Sequence, residues 1–332
     1  MKHKVLILGN PFKYSIETSY LNNFKSLEHD CNICNVTEIN FLQKIFNHSK
    51  VYNFFKNNEF RNLISINLNK KIIKLVDIYK PTVCFFFNLN YIFPETIKDI
   101  KKRKIKTITF LPDNHFHNRI FIRKEIIDSL DIVDINFFWG KNIIKKFKLK
   151  NSLFLNFAWD DLFKFKKNNI VKNQISFIGT YDKFRNEILS NIFTKKNLKI
   201  WGDKNWKKSI LINNYQNREL NFKEYIEYSK KTLINLNILR EQNIIGEGLN
   251  MRTFELGGGK CFFLQNWSKA GEDFFQDHSK YILFKDSNEF NEKINIFLKY
   301  RKLRKIILKK IFKFISSKHK YRDRIKEILK FV

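Results

Sequence analysis

The chain has 332 residues, with 63 Lys+Arg against 32 Asp+Glu and a formal net charge of +31. This length is long for one hydrophobic core and predicts two domains, while 43% hydrophobic residues exclude wholesale disorder. No stretch approaches the ~20 consecutive apolar residues that cross a bilayer, which predicts a soluble or peripheral protein.

A positive charge of this size indicates a nucleic-acid partner or an anionic membrane surface. The excess is spread along the whole chain, however, and accompanies many Ile, Asn and Phe residues, whose codons are AT-rich like those of Lys. We therefore assign part of the charge to base composition. The remainder fits an enzyme that binds phosphate-bearing donors or works beside an acidic leaflet. Because no helix-turn-helix, zinc-finger or RNP-type signature is present, we expect no specific nucleic-acid partner.

The four cysteines, at positions 31, 34, 84 and 261, are too few for a disulfide scaffold of this length. They predict a reducing, cytoplasmic compartment. Cys31 and Cys34 have zinc-ribbon spacing, but no second Cys or His pair follows at a suitable distance. We therefore expect no metal site.

In the first half, short apolar runs alternate with amphipathic helices, which is typical of a parallel sheet covered on both faces. The predicted strands span residues 5–8, 82–87, 107–111, 135–138 and 153–156, and a helix is predicted over 62–79. The loop after the first strand lacks GxGxxG, which argues against a dinucleotide site. Asp113, His115 and His117 follow the strand at 107–111, so they are the candidate general bases, with Asp113 and His115 favoured. The alternative is that these side chains only position the loop.

A polar stretch at 164–169 predicts a domain boundary, with domains at 1–165 and 166–332. Further strands are predicted at 175–178, 198–201, 232–237, 261–264 and 281–284, with a helix at 185–193 and basic helices from 287 onward. The sequence thus predicts an α/β protein of two Rossmann-like, doubly wound domains facing a cleft. Ligands bind at the carboxyl ends of such sheets.

Five of the 10 glycines fall between Gly246 and Gly259. A glycine-bearing loop that leads into a helix offers free backbone N–H groups to phosphate. Arg252 can add a forked contact to a diphosphate, and Glu255, on nearly the same helix face, can accept hydrogen bonds from ribose hydroxyls. Gly257 to Gly259 are predicted to turn the backbone into the next strand. The alternative is an ordinary strand–helix junction with a capping glutamate.

The run Asn-Met-Arg-Thr-Phe-Glu at 250–255, followed by a small-residue turn and an apolar strand, resembles the signature of CgeB-type spore-maturation glycosyltransferases of the GT-B fold. Segments 153–160, 177–181, 200–206 and 319–324 are also similar to that family in order and spacing, so the resemblance covers about residues 150–330. Lys260 departs from the family pattern. The resemblance implies donor binding by the C-terminal domain, with Glu255 on the ribose and Arg252 near the diphosphate. The expected donor-binding residues are Gly179, Thr180, Asn250, Arg252, Thr253, Glu255, Gly257 and Gly258.

The predicted function is transfer of a hexose from a UDP- or GDP-linked sugar to a glycan, lipid-linked or small-molecule acceptor. No Asp-x-Asp pair follows a strand in the second half, so we expect no divalent metal requirement and no cofactor besides the nucleotide-sugar. The helix at 297–314 is either a membrane-surface element, which predicts peripheral contact with the anionic inner face of the membrane, or an ordinary packed helix. Two other functions stay open, a basic protein that binds nucleic acid or membrane and an inactive GT-B binding module.

Overall fold

The computed structural model describes residues 2–36, 58–87, 89, 91–112, 124–148, 150–161 and 173–332. The chain forms two compact units. The first comprises Met1–Leu155 and Ile325–Val332, and the second comprises Asn156–Arg324. The predicted boundary between residues 165 and 166 lies outside the described residues.

The first unit contains a six-stranded, wholly parallel sheet with the strand order β2-β1-β3-β4-β5-β6. The strands are β1 (Lys4–Gly9), β2 (Asp30–Asn35), β3 (Val83–Phe86), β4 (Lys106–Leu111), β5 (Ile135–Phe138) and β6 (Ser152–Phe154). The helices are α1 (Ile16–Ser26), α2 (Asn58–Tyr79), α3 (Pro94–Lys102), α4 (Lys124–Ile132) and α5 (Lys141–Phe147). The five predicted strands are confirmed to within two residues at each end.

Strand β2 was not predicted, and it carries both cysteines of the zinc-like spacing. Three of its six residues are polar, and only Cys31 and Cys34 are buried. Burial raises the pKa of Cys31 to about 12, although the charge of Lys25 acts to lower it. Among the described residues, no group of three or more His, Cys, Asp or Glu could hold a metal ion.

The second unit contains a five-stranded parallel sheet with the order β11-β10-β9-β7-β8. The strands are β7 (Asn173–Ile178), β8 (Leu198–Trp201), β9 (Thr232–Asn237), β10 (Phe263–Asn266) and β11 (Leu283–Phe284). The helices are α6 (Lys183–Ser190), α7 (Phe222–Lys230), α8 (Glu241–Ile245), α9 (Met251–Gly258), α10 (Lys269–Phe275), α11 (Ser279–Ile282), α12 (Ser287–Lys299) and α13 (Arg301–Lys318), and α14 (Tyr321–Ile328) spans the division between the units. Both units therefore have the predicted Rossmann-like, parallel-sheet architecture.

Helix α9 packs closely on α13 at Gly257 and on Trp159 at Gly258. A Cβ on Gly257 would lie 2.2 Å from Cδ1 of Ile315, and one on Gly258 would lie 2.3 Å from Cδ2 of Trp159. The prediction that Gly257 to Gly259 turn the backbone into the next strand is wrong for Gly257 and Gly258, because the helix continues through Gly258 and the turn lies at Gly259 and Lys260. The left-handed residue that follows is Lys260, with φ 57°. Close packing, rather than turn geometry, excludes side chains at positions 257 and 258.

The apolar stripe of helix α13 packs against the rest of the second unit. Ile307, Ile311 and Ile315 are buried, and Arg304 is buried beside them. The interpretation of this segment as an ordinary packed helix therefore accounts for its apolar face. The exposed side chains include seven cations, which are Arg301, Lys302, Lys305, Lys309, Lys310, Lys313 and Lys318. Within the described parts of the chain, no helix combines the length and apolar composition needed to cross a membrane.

Candidate functional site

Buried amides and a hydroxyl fix the first turn of α9 against the sheet of the second unit. Asn250 caps the helix, and its Oδ1 accepts a hydrogen bond of 3.1 Å from the backbone N–H of Thr253. Asn237 Nδ2, at the end of β9, donates to Oδ1 of Asn250 at 3.1 Å and to Oε1 of Gln265 at 2.8 Å. The Thr253 hydroxyl lies 2.8 Å from the same Gln265 oxygen. This network holds the helix start at the carboxyl ends of β9 and β10.

Three arginine side chains converge beside this helix start, at the carboxyl ends of β7 and β9. Arg252 donates from Nη1 to the carbonyl oxygen of Ile178, the last residue of β7. Arg185 donates from Nε to the carbonyl oxygen of Ile238 at 3.0 Å and from Nη1 to that of Thr180 at 3.2 Å. Arg240 donates from Nη2 to the Thr180 hydroxyl. Backbone carbonyls at the strand ends therefore orient the guanidinium groups.

The three neighbouring positive charges of Arg185, Arg240 and Arg252 favour the binding of an anion. Desolvation and the nearby charge of Arg240 lower the pKa of Arg185 to about 10, and Arg252 adds to this, while Asp182 opposes it. Asp182 lies 3.6 Å from Nε of Arg240 and also caps α6 by accepting from the Arg185 backbone N–H. A phosphate group would offset the mutual repulsion of the three guanidinium groups.

Glu255 points into the core below the arginine cluster. The residue is 4% exposed, its Oε2 accepts a 2.9 Å hydrogen bond from the Tyr225 hydroxyl, and Nε of Arg252 lies 3.9 Å away. Burial raises the pKa of Glu255, although the charge of Arg252 and the hydrogen bond from Tyr225 oppose this. The Arg252 guanidinium stacks 4.2 Å above the centre of the Tyr225 ring. Glu255, Tyr225 and Arg252 thus form one packed group, and ribose binding by Glu255 stays a prediction.

The structure brings six of the predicted donor-site residues together. Gly179 and Thr180 follow β7, and the other four lie at or just after the start of α9, namely Asn250, Arg252, Thr253 and Glu255. Gly257 and Gly258 lie at the other end of α9, against Ile315 and Trp159, and their place in the donor site stays a prediction. The candidate bases Asp113 and His115, with His117, fall outside the described residues.

Sequence reasoning did not include Arg185, Arg240 or Tyr225 in the site. Arg185 entered the sequence analysis only as the first residue of the helix predicted at 185–193. Arg240 comes three residues after β9, so the rule that ligands bind at the carboxyl ends of parallel strands could have identified it. Tyr225 lies in the middle of α7 and gave no such signal.

Comparison with known proteins supports the interpretation of the second half. Residues 185–330 match the family model described as glycosyl transferase-like, and no curated protein matches the sequence. A glycosyltransferase from Rickettsia africae is similar in structure, with a TM-score of 0.62, 12% identity, and coverage of 99% of this chain and 97% of that one. Sucrose-phosphate synthase from Thermosynechococcus elongatus is similar with a TM-score of 0.66, 6% identity and coverage of 99% and 98%.

A third similar structure is the UDP-GlcNAc 2-epimerase of Neisseria meningitidis bound to UDP-GlcNAc, with a TM-score of 0.58, 10% identity and coverage of 100% of this chain and 99% of that one. The TM-scores establish a similar fold. Identities this low do not establish a shared reaction, which has to be inferred from the residues of the site. The predicted GT-B fold is confirmed.

Proposed function

We propose that the chain transfers a hexose from a UDP- or GDP-linked donor, and that its second unit binds the donor. The observation that carries this proposal is the cluster of Arg185, Arg240 and Arg252 beside the N-terminus of α9. This cluster lies within the residues that match the glycosyl transferase-like family. A nucleoside diphosphate supplies the two linked anionic groups that such a cluster favours.

Each group has a role in this proposal. Arg185, Arg240 and Arg252 stabilise the charge that develops on the departing diphosphate, and the backbone N–H groups at the start of α9 add to them. Glu255 accepts from the ribose hydroxyls, and Gly179 and Thr180 line the phosphate side. Positive charge from the side chains replaces that of a divalent ion, so transfer is metal-independent. Asp113 or His115 removes the acceptor proton.

The finer assignments are also proposals. The segment at 250–255 supports a CgeB-type subfamily within the glycosyltransferases, and the free, buried cysteines accord with a cytoplasmic enzyme. Acceptors are a glycan, a lipid-linked sugar or a small molecule. The positive surface supports peripheral contact with an anionic membrane, where a lipid-linked acceptor would be reached.

The test is turnover with a panel of UDP- and GDP-linked sugars, followed by measuring the nucleoside diphosphate released with and without candidate acceptors. The proposal predicts acceptor-dependent release from one donor. Binding of a nucleotide-sugar with no release under any condition would instead support the inactive binding module. Absence of both binding and release would contradict the proposed function.

A further inference from the structure

The two most exposed large apolar side chains among the described residues lie on two segments of the second unit that flank β8 in the chain. Phe193 is 76% exposed and Ile210 is 74% exposed, and Ile212, at 47%, follows Ile210 closely. Phe193 comes shortly before β8, and the two isoleucines follow β8, with Ile212 as the first residue of a 3-10 helix at Ile212–Asn214. Solvent-exposed apolar side chains of this size on neighbouring segments indicate an interaction site.

Hydrogen bonds fasten the two segments that carry these side chains. Asn214 Nδ2 donates to the carbonyl oxygen of Leu198 at 3.0 Å and to that of Lys195 at 2.5 Å. The Ser209 hydroxyl, beside Ile210, donates to Oδ1 of Asn186 in α6. Hydrogen bonds thus fix both segments that carry the apolar side chains, one before and one after β8, which is an edge strand of the sheet.

Lysines are frequent in the stretch of sequence that carries these apolar side chains. Residues 191–214 contain six lysines and one acidic residue, Asp203. The Asp203 carboxylate accepts hydrogen bonds from the backbone N–H groups of Tyr181 and Asn205, both at 2.8 Å. All six lysines are exposed, and they are Lys195, Lys196, Lys199, Lys204, Lys207 and Lys208. The surface therefore combines projecting apolar side chains with a strong excess of positive charge.

A hollow of about 380 Å³ lies beside the segment that carries Phe193, and it is lined by Ser190, Asn191, Ile192, Phe193, Lys195 and Ser287. This mixed polar and apolar lining, with one lysine, suits a lipid headgroup. We call the set of Phe193, Ile210, Ile212, Lys195, Lys196, Lys207 and Lys208 the β8-edge surface.

We propose that the β8-edge surface docks the protein on an anionic lipid bilayer. The lysines meet acidic headgroups while Phe193 and Ile210 enter the headgroup boundary, and the two contributions together give stable peripheral binding. Aliphatic Ile210 and Ile212 have no ring to stack on bases, so a nucleic acid is the less suitable partner. This inference deepens the proposed membrane contact and assigns it to a surface other than α13, whose main apolar stripe of Ile307, Ile311 and Ile315 is buried.

The experiment is co-sedimentation of the full chain with vesicles of phosphatidylcholine alone and of equimolar phosphatidylcholine and phosphatidylglycerol, at low and high salt. The wild type should pellet only with the anionic vesicles, and less at high salt. Replacing Phe193 and Ile210 together by Ser should weaken binding about tenfold or more. Replacing Lys195, Lys196, Lys207 and Lys208 by Gln should weaken it at least as much at low salt.

Matched controls lie on α13. Leu303→Ser with Ile306→Ser removes two other exposed apolar side chains, and a second control removes four other exposed lysines by Lys305→Gln, Lys309→Gln, Lys310→Gln and Lys313→Gln. The proposal predicts that these controls change vesicle binding less than threefold. Thermal unfolding of every variant shows that it is folded, and nucleotide binding, measured separately, is expected to stay unchanged. A failure of donor binding or turnover would therefore not be confused with a failure of docking.

Three results would overturn the assignment. The first is equal pelleting of the wild type and the Phe193/Ile210 variant with anionic vesicles. The second is absence of wild-type binding to anionic vesicles at low salt. The third is an equal loss in the α13 controls, which would assign the contact to general charge. If the Phe193/Ile210 variant or the lysine variant lost binding to a single-stranded RNA but kept its binding to vesicles, the surface would be identified as a nucleic-acid surface instead.

Discussion

The Tyr225 hydroxyl donates a 2.9 Å hydrogen bond to Oε2 of Glu255, inside the packed group that also holds Arg252. Tyr225→Phe should lower the free energy of unfolding by about 1–2 kcal/mol, because the buried carboxylate loses a partner. Glu255→Ala should weaken nucleoside diphosphate binding by roughly 2–4 kcal/mol if the carboxylate also contacts the ribose. Chemical denaturation and isothermal titration measure the two effects.

Tyr225→Phe also serves as the control for Glu255→Ala, since it disturbs the same packing without removing the carboxylate. The raised pKa of Glu255 gives a second readout, the pH dependence of the free energy of unfolding. The contribution of Glu255 to this free energy is fully present below about pH 4.5 and is lost as the pH rises through the pKa of the folded state. Glu255→Gln should remove this loss. Unchanged nucleotide affinity in a folded Glu255→Ala variant would show that the ribose assignment is wrong.

His319 predicts an acid sensitivity of the second unit. Arg324 Nη2 lies 2.6 Å from Nδ1 of His319, and a guanidinium can only donate, so the histidine accepts and is neutral. Burial, with the charges of Arg324 and Lys318, lowers the pKa of His319 to about 3. The unfolded chain therefore takes up the proton first, and stability should fall by about 1–3 kcal/mol as pH falls from about 6.5 toward 3.

The measurement is urea denaturation across this pH range for the wild type and for His319→Gln, which can still accept a hydrogen bond from Arg324. The variant should show a shallower decline, because it has no imidazole to protonate. An identical pH dependence in the two proteins would contradict the assignment of the decline to His319.

Gly257 predicts a specific steric coupling with Ile315. Gly257→Ala places a Cβ 2.2 Å from Cδ1 of Ile315, so it should destabilise the fold by about 1–3 kcal/mol. Ile315→Val removes that Cδ1, and the next contact of the new Cβ, with Cγ1, is at 3.4 Å. In a double-mutant cycle the two substitutions together should cost less than the sum of the single effects. Strictly additive losses would show that the two side chains do not compete for this space.

Metal independence predicts that catalysis survives chelation. Acceptor-dependent release of nucleoside diphosphate should keep its full rate in EDTA, because the three arginines supply the positive charge at the diphosphate. Addition of magnesium or manganese should change the rate little. Abolition by EDTA that either ion restores would require a metal site that this proposal does not include.

The sequence was most informative where one local signal decides the structure. Strands β8 and β9 were predicted with their observed bounds, because β8 is a short, mostly apolar run ended by Gly202 and β9 contains the closely spaced apolar residues Leu233, Ile234 and Leu236. The capping role of Asn250 accords with the prediction of a helix start there. Strand β2 was missed because half of its six residues are polar, so it does not contain the continuous apolar run by which the other strands were predicted.

The candidate site was only partly predictable for a related reason. Arg252 and Glu255 are separated by three residues, so helix geometry alone places them together. Arg185 and Arg240 are separated by 55 residues in the chain, and only the adjacency of β7 and β9 brings their guanidinium groups near each other. Gly257 and Gly258 attracted attention as turn residues, whereas their neighbours Ile315 and Trp159 are remote in sequence. Such contacts follow from tertiary packing and leave no local pattern.

The arginine cluster gives the most direct test of the account. Isothermal titration with UDP and GDP is compared between the wild type, Arg240→Gln, Arg252→Gln and the control Arg103→Gln, whose guanidinium pairs with Asp77 in the first unit. We expect the wild type to bind one of the two nucleotides. Each cluster variant should bind it about 10- to 100-fold more weakly, the loss of a charge-assisted contact of roughly 1.5–3 kcal/mol, and the control should match the wild type. Absence of binding to either nucleotide, or equal affinities in all four folded proteins, would contradict donor binding at this site.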